Sequence, residues 1–313
     1  MRTIRTTSIV VLSLGVCLFA RGAAAQGAGA GEDSIVQLTE SVFRRGNQSN
    51  VFMVTSEGII VVDGTCSGGG QQWLKEELAR RYDVPVKYVI LTHDHEMHIC
   101  GTQAFSDTAV TVSHRNARPH IIREGRNSAV PDVTFEESME IHLGGKRAVL
   151  YYFGPTHSDN LIQVHFPEEG VLVATDAIRA DKAIGLPDYR DSNVNNLIDA
   201  LDKLSRLDNV DIVVPGHGAI TDKGGVRELR DYLSTLRDEA RARFDAGLSW
   251  VEASEEIIAD HFTHWLDRER IFINVCSLYR EFGDRADAPG VMQIYEVMAG
   301  WCWAHGHVHP ANC

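Results

Sequence analysis

The sequence predicts an α/β domain followed by a helical extension, and three observations carry this prediction. Over residues 34–220, apolar runs rich in Val, Ile and aromatic residues alternate with turn residues and amphipathic segments. Residues of the kind that bind metals stand directly after several of these runs. From Lys223 onward the composition changes to helix-forming residues interleaved with charges. We therefore expect a domain over 34–220, a helical extension over 221–300 that packs on it, and a His- and Cys-containing tail over 301–313.

The predicted strands are short and mostly apolar throughout, which is typical of strands buried in a sheet. In chain order they span residues 35–38, 51–55, 58–62, 86–91, 109–112, 140–143, 147–153, 161–166, 171–174 and 210–214. The strands on either side of Gly144-Gly145 are predicted to form a hairpin. Helical periodicity predicts helices over residues 71–82, 116–126, 194–207, 226–244, 250–261 and 268–281.

A cluster of histidines follows the strand predicted over 86–91. His93, His95 and His98 stand within six residues, where the chain leaves the strand. Histidines two residues apart in an extended segment can face one side, and a third can close on the same space. Histidine is the commonest protein ligand of zinc-type ions. The cluster therefore predicts a metal site, and the alternative is a solvated, His-rich turn.

Further polar residues also stand at the ends of predicted strands. They are Asp63, His157, Asp176 and His217. One such residue is an ordinary turn residue, but convergence at several strand ends is how open α/β architectures assemble a site. His165, by contrast, alternates with apolar neighbours inside a strand and is predicted to be structural.

The first 25 residues have the pattern of a signal peptide. Arg2 and Arg5 precede an apolar stretch over 9–19, and Ala23-Ala-Ala25 forms a cleavage site. The pattern predicts a periplasmic or secreted protein without stable membrane insertion. Removal of the segment with its three arginines changes the formal net charge from −13 to −16. Because such a surface repels phosphate backbones, nucleic acid is not an expected partner.

Five cysteines remain after the predicted cleavage, namely Cys66, Cys100, Cys276, Cys302 and Cys313. In an oxidising compartment some of them are expected to pair, and the odd number leaves at least one thiol. Cys302 with Cys313 is the simplest pair, although the sequence does not determine the pairing. Cys100 is interpreted as a small buried residue, with a nucleophile as the alternative.

Taken together, these residues resemble the metallo-β-lactamase fold superfamily. The resemblance rests on Asp63, Thr92-His93-x-His95-x-x-His98, Gly154-Pro-Thr-His157, Ala174-Thr-Asp176 and Pro215-Gly-His217-Gly218, in that order. It implies an αββα sandwich with a site for two metal ions, zinc or iron. By the resemblance, the first ion is bound by His93, His95 and His157. Asp176 would bridge to a second ion bound by His98 and His217, and Asp63 would support the ligand loop by hydrogen bonds.

One position departs from the family pattern H-x-H-x-D-H. Met97 stands where the family has an aspartate ligand of the second metal. A thioether is a poor ligand for zinc. Alternation along the segment is expected to point Asp94 and Glu96 away from the pocket, so neither replaces the missing carboxylate. We therefore expect one strong metal site and a second site that is weak or absent.

The resemblance implies an exported, metal-dependent hydrolase of a small ester, lactone, thioester or amide, β-lactams included. A metal-bound hydroxide would attack the carbonyl, with Asp176 orienting it or accepting its proton. Asn160 resembles a residue that stabilises the carbonyl oxyanion, and a capping role in a turn is the alternative.

The alternatives to hydrolysis are a non-catalytic metal-binding or interaction protein and an iron-dependent oxidoreductase. The C-terminal helices are a candidate surface for a homodimer.

Overall fold

The computed structural model describes residues 31, 33–46, 50–179, 192–263, 267–283 and 289–305. The predicted signal peptide over 1–25 and most of the predicted tail lie outside these residues, so both remain predictions. Within the described part of the chain, no helix is apolar and long enough to cross a lipid bilayer.

The first sheet has seven strands that neighbour one another in chain order. They are β1 (Ile35–Gln37), β2 (Val42–Arg45), β3 (Val51–Val54), β4 (Ile59–Val62), β5 (Val86–Ile90), β6 (Val110–His114) and β7 (Val133–Phe135). Neighbouring strands pair antiparallel from β1 to β4 and parallel from β4 to β7. Parallel pairing places the carboxyl ends of β4 and β5 at the same edge of the sheet, which is where Asp63 and the histidine cluster begin.

The second sheet has five strands in the order β12-β11-β10-β9-β8. They are β8 (Ser138–Leu143), β9 (Lys146–Tyr152), β10 (Ile162–Phe166), β11 (Val171–Ala174) and β12 (Ile212–Pro215). β8 and β9 form the hairpin predicted around Gly144-Gly145. β11 and β12 run parallel, so Asp176 and His217 leave the sheet at one edge.

The helices are α1 (Gly70–Arg81), α2 (Glu96–Ile99), α3 (Ala117–Glu124), α4 (Val194–Arg206), α5 (Lys223–Asp245), α6 (Trp250–His261), α7 (Ile271–Phe282) and α8 (Val291–Ala304). A short 3-10 helix, Arg268–Arg270, precedes α7. α8 continues through Ala304, four residues into the segment predicted as a tail.

Alternation of side chains along the strands produces three apolar layers. Ile60 and Val62 of β4 face the space between the sheets, where they meet Val171 and Val173 of β11. Ile59 and Val61 face the opposite way and pack with Leu74 and Leu78 of α1, and with α3. Leu172 and Ala174 of β11 pack against α4 to α8. The layers therefore follow the order helix, sheet, sheet, helix, and the predicted αββα sandwich is confirmed.

The helical extension shares one core with the second sheet. Leu229, Leu233 and Leu236 of α5 are buried together with Leu197 and Leu201 of α4. The apolar positions of α5 recur at three- and four-residue spacing, which forms one continuous stripe. The extension is therefore packed on the sandwich.

Strand β2 was not predicted, because its sequence ends in two arginines. The structure buries both guanidinium-bearing residues. Arg45 forms an ion pair with Asp33 at 2.6 Å, and its Nη1 donates to the carbonyl of Gly70 at 2.8 Å. A partner for a buried charge comes from tertiary structure, so the strand could not be identified from local hydrophobicity.

Candidate metal centre

The predicted ligands lie where the strand ends of the two sheets face each other. His93 and His95 follow β5, and His157 lies in the connection from β9 to β10. Asp176 follows β11 and His217 follows β12. The structure thus brings together residues that are far apart in the sequence.

Helix α2 explains how the third histidine of the cluster reaches the site. His95 is the extended residue that precedes the helix, and the amide of His98 donates to the His95 carbonyl at 3.0 Å. A single helical turn therefore folds the chain back, so that His98 is buried beside His93, with 5.0 Å between their ring centres.

The first group of ligands consists of His93, His95, His157 and Asp176, with donor atoms that all lie within 4.8 Å of one another. His157 Nε2 is 3.1 Å from His95 Nδ1 and 3.3 Å from Asp176 Oδ2. Such spacing is that of ligands around a shared centre, since each metal–ligand bond is about 2 Å long.

The second group consists of His98, Asp176 and His217, whose donor atoms also lie within 4.8 Å of one another. Asp176 belongs to both groups. Its Oδ2 is 3.1 Å from His98 Nε2, and its Oδ1 is 3.6 Å from His217 Nε2. The carboxylate is therefore placed between the two groups.

The position of Asp176 depends on backbone geometry that side-chain patterns do not show. Its φ angle is 52°, in the left-handed region that an aspartate adopts more readily than most residues. A Cβ atom on Gly216 would lie 2.4 Å from Asp176 Oδ1. The glycine between Pro215 and His217 therefore leaves the space that the carboxylate occupies.

Charge and burial favour the metal-binding forms of His93 and Asp176, whereas for His98 burial is outweighed by the charge of Asp176, which raises its pKa. Burial lowers the pKa of His93 well below its usual value, and the neighbouring His95 acts in the same direction. Burial by itself raises the pKa of Asp176, but the charges of His98 and His157 outweigh it and hold that pKa well below its usual range. A neutral imidazole and an ionised carboxylate are the states that metal binding requires.

The residues present fit a zinc-type ion. His93 is fully buried, and its Nε2 has no hydrogen-bond partner among the residues that the structure describes. The nearest carboxylate oxygen, Oδ2 of Asp176, is 3.6 Å away. A buried nitrogen left without a partner costs about 1–3 kcal/mol, which coordination of an ion offsets. Three imidazoles and a carboxylate form a donor set suited to zinc.

Asp63 lies outside both candidate ligand groups and is hydrogen-bonded to residues next to them. It is fully buried and accepts hydrogen bonds from the amide and hydroxyl of Thr92 at 2.8 Å each, and from the hydroxyl of Thr175 at 3.1 Å. Burial raises the pKa of Asp63 to about 6, although His98 and Thr92 oppose this rise. Because Thr92 precedes His93 and Thr175 precedes Asp176, Asp63 joins ligand segments of the two sheets.

Met97 does not enter the centre. Its side chain is 62% exposed on α2. Glu96 lies within 3.9 Å of Arg126, outside both ligand groups. Asp94 is buried, but its carboxylate is directed to Asn160 and Arg126. Neither acidic neighbour takes the place of the family's aspartate.

Asn160 is placed to hold two loops together. Its Oδ1 accepts from the amide of Asp94 at 2.9 Å, and its Nδ2 donates to Asp94 Oδ1 at 2.8 Å and Asp159 Oδ1 at 2.7 Å. Both amide hydrogens are therefore engaged, which does not favour the predicted oxyanion contact. The hydrogen bonds between Asn160 and Asp94 therefore join the loop that carries His93 to the loop that carries His157.

Replacing Asn160 with alanine should weaken metal binding about 10- to 100-fold, the usual effect of removing a residue that orients ligands. The reason is that the two loops lose their mutual hydrogen bonds. Competition with a chromogenic chelator measures the affinity. Gln72→Ala is the control, since Gln72 is an exposed amide on α1 that donates to Glu76. An affinity unchanged in Asn160→Ala would contradict the positioning role.

A disulfide that the sequence did not identify lies beside the centre. Cys66 is bonded to Cys100, two residues after His98. Cys100 is buried, as predicted, and its disulfide excludes the nucleophile alternative in this oxidised state. Cys276 is a buried thiol. Cys302 is also disulfide-bonded, and its expected partner Cys313 lies outside the described residues.

Comparison with known proteins agrees with this geometry. The family model described as the metallo-beta-lactamase superfamily matches residues 44–217, more than half of the chain. The chain belongs to the metallo-β-lactamase superfamily. The match contains every ligand named above and ends before the helical extension.

Relatives within the superfamily carry different names. A metallo-beta-lactamase type 2 from Bacillus sp. (strain 170) is 26% identical over 180 residues, which are 57% of this chain and 70% of that protein. The 2,4-dinitroanisole O-demethylase subunit alpha of Nocardioides sp. (strain JS1661) is 28% identical over 185 residues, 58% of this chain and 54% of that protein.

Solved structures share the fold. A metallo-beta-lactamase from Pontibacter korlensis superposes with a TM-score of 0.57 and 19% identity, and the match covers 64% of this chain and 98% of that chain. This likeness concerns the architecture and leaves the substrate open.

Proposed function

We propose that this metallo-β-lactamase-fold protein is a metal-dependent hydrolase of a small ester, lactone, thioester or amide. The observation that carries the proposal is the group of three imidazoles around Asp176, of which His93 and His157 are buried, with the orphaned Nε2 of His93 3.6 Å from a carboxylate oxygen. Zinc in such a group polarises a carbonyl and lowers the pKa of a bound water to about 7.

The chain's own residues have separate tasks in this reaction. His93, His95 and His157 would hold the ion. Asp176, whose Oδ1 is 3.6 Å from His217 Nε2, would orient the attacking water or accept its proton. Asp63 and Asn160 fix the ligand segments, so that little reorganisation is required when the substrate binds.

The proposal is not restricted to β-lactams. One relative of comparable identity is named a β-lactamase and another an O-demethylase subunit. Relatives of this chain are therefore named for different reactions. The loops around the site decide the substrate. Zinc is the proposed metal, because the donors are mostly imidazoles. Iron remains the alternative that a metal analysis would identify.

We also propose that the first ligand group binds more tightly than the second. With Met97 outside the centre, the second group keeps only His98, His217 and a shared carboxylate among the described residues. A site with fewer anionic ligands holds a divalent ion less tightly.

Metal analysis of the purified protein beside a Met97→Asp variant tests both parts of the proposal. We expect about one zinc per chain in the wild type and nearly two in the variant, because the added carboxylate completes the second site. Both proteins are assayed on a chromogenic lactam and a 4-nitrophenyl ester, with and without chelator. Met97→Asn has a similar shape without the charge and should remain near one zinc.

Two outcomes would contradict the proposal. Two tightly bound ions in the wild type would show that Met97 does not weaken the second site. Metal binding without chelator-sensitive turnover on any ester or lactam tested would favour a non-catalytic metal-binding protein.

Export is proposed together with this activity. The Cys66–Cys100 disulfide supports it, because disulfides persist in the periplasm and outside cells and are rare in reducing compartments. A homodimer through the C-terminal helices is also proposed, supported by the exposed apolar side chains of Met292, Tyr295 and Trp303 on α8.

A further inference from the structure

A buried asparagine lies beside Asp63 in the first sheet. Asn50 precedes β3, and Val51 of β3 pairs antiparallel with Val62 of β4, so the residues that flank this pair, Asn50 and Asp63, are neighbours across the two strands. The side chain of Asn50 is fully buried. A buried amide is costly unless its donors and its acceptor are engaged, so its contacts show what keeps it there.

The amide of Asn50 contacts two consecutive carbonyl groups. Its Nδ2 donates to the carbonyl oxygen of Asp63 at 2.9 Å and to that of Val62 at 3.3 Å. Its Oδ1 accepts from Nε2 of Gln71 at 2.9 Å. These contacts fix the orientation of the amide, because in the reversed orientation its oxygen would face two carbonyl oxygens that have no hydrogen to donate.

The conformation of Asp63 explains why its carbonyl needs this donor. Its φ angle is 59°, in the left-handed region. Its amide donates to the carbonyl of Ile90 at 2.8 Å and so still pairs with β5, whereas no backbone amide of the described residues donates to its carbonyl. A buried carbonyl requires a partner. Asn50 supplies it, and this contact stabilises an unfavourable backbone conformation.

Helix α1 in turn holds Asn50. Gln71, the second residue of α1, is buried and packs closely against two glycines. A Cβ atom on Gly64 would lie 3.3 Å from Gln71 Cδ, and one on Gly101 would lie 3.3 Å from Gln71 Cγ. Gly64 directly follows Asp63. The pair of buried amides, Asn50 with Gln71, therefore fits against the backbone turn at Asp63.

Asp63 connects this pair of amides to the ligand segments. Its carboxylate accepts from the hydroxyls of Thr92 and Thr175, which directly precede His93 and Asp176. The carboxylate and the carbonyl belong to one residue, so a change in the backbone angles of Asp63 redirects both. A contact at the carbonyl can therefore affect ligands that Asn50 does not touch.

A purely structural role for Asn50 is the simpler explanation. A buried donor that engages two carbonyls stabilises a turn wherever it lies. That explanation predicts a loss of stability alone when the amide is removed, whereas positioning predicts a change at the metal centre as well. The helical extension offers a comparison, since the fully buried Asn274 donates to the hydroxyl of Tyr232 at 2.9 Å.

We propose that Asn50 is a positioning residue of the metal centre. It fixes the left-handed conformation of Asp63 and thereby the directions of His93 and Asp176, while Gln71 holds its amide in place. Neither amide belongs to a ligand group. The expected effect on turnover rests on the proposed function, whereas the expected effect on metal binding does not.

Asn50→Leu tests the proposal, since leucine has nearly the same size without the amide. We expect zinc affinity to fall about 10- to 100-fold, the usual range for residues that orient ligands. The visible absorption bands of the cobalt(II)-loaded protein should shift, because they depend on ligand geometry. Gln71→Leu should give smaller changes of the same kind, which keeps the proposal testable if Asn50→Leu does not fold.

Asn274→Leu is the matched control, because it removes another fully buried amide. It should lower the midpoint of thermal unfolding and leave zinc affinity and the cobalt spectrum as in the wild type. A lower midpoint in Asn50→Leu and Gln71→Leu with wild-type zinc affinity and cobalt spectrum would overturn the positioning role.

A double-mutant cycle with Asp63→Asn shows whether the effect passes through Asp63. In that background, Asn50→Leu should change zinc affinity by less than about twofold, because the carboxylate that connects Asn50 to the ligands is already lost. Equal fold-changes in the two backgrounds would show that Asn50 acts independently of Asp63, which would also overturn the proposal.

Kinetics separate failure of this inference from failure of the proposed function. On a 4-nitrophenyl ester, Asn50→Leu should lower kcat with little change in KM, since Asn50 is buried away from substrate. A rise in KM alone, with wild-type zinc affinity, would overturn the positioning role. Absence of turnover in the wild type would instead overturn the proposed hydrolase, and the zinc and cobalt measurements would still decide the role of Asn50.

Discussion

Replacing Asp176 with asparagine should reduce bound zinc to well below one ion per chain and lower kcat/KM for the ester about 1,000-fold, a loss typical of removing a group that acts on the transition state. The carboxylate has oxygens 3.1, 3.3 and 3.6 Å from the Nε2 atoms of His98, His157 and His93. An amide of the same shape carries no charge and is a poor ligand. Metal content after gel filtration and steady-state kinetics measure the two effects.

The matched control is Asp199→Asn, an exposed aspartate on α4. It should retain wild-type metal content and turnover. Because Asp176 is the one residue shared by both ligand groups, its loss should affect both, whereas His217→Ala should affect only the second. Normal zinc content in Asp176→Asn would show that the three imidazoles suffice and that the carboxylate is not a ligand.

Removing the disulfide with Cys66→Ser and Cys100→Ser should lower the free energy of unfolding by about 3–4 kcal/mol, given the 34-residue separation of the bridged cysteines. The second metal site should weaken as well. Cys100 follows His98 by two residues, and the carbonyl of His98 accepts from the amide of Gly64 at 2.5 Å. Without the covalent bond, α2 is less firmly held against the segment after β4.

Chemical denaturation and zinc titration of the oxidised protein measure these two effects separately. Cys302→Ser is the control, since it removes a disulfide whose described cysteine lies on α8. It should reduce stability but leave the affinity of the second site unchanged. A double serine variant with unaltered zinc titration would show that the disulfide stabilises the fold without positioning His98.

The positions of strands β4, β5, β11 and β12 along the chain and the candidate ligand residues could both be predicted from the sequence. Strands β4, β11 and β12 are apolar along their whole length, and β5 is apolar except for the exposed Lys87, because both faces of their sheets are covered. The polar residues that follow them therefore stand out. Strand β7 has three residues, two of them exposed, and such a short segment gives no periodic signal.

Contacts made by single polar groups could not be predicted from the sequence. Thr92 and Thr175 each precede a candidate ligand in the sequence, but threonine at a strand end is common. The structure shows that the hydroxyls of both residues donate to Asp63. The sequence leaves Asn160 open as a group facing substrate or a turn cap, whereas its amide is directed to Asp94. The direction of a side chain depends on which groups lie within about 3 Å, and residue order does not specify this.

The sequence alone determined the α/β class, the apolar strands, the histidine cluster and the loss of the aspartate at Met97, because each depends on local pattern or on residue identity. Tertiary structure decided the pairing of Cys66 with Cys100, the placement of Asp176 between two ligand groups and the ion pair of Arg45 with Asp33. These features join residues that are distant along the chain. Hydrogen bonds and ion pairs act over a few ångströms, so only the packing of the chain could bring their partners together.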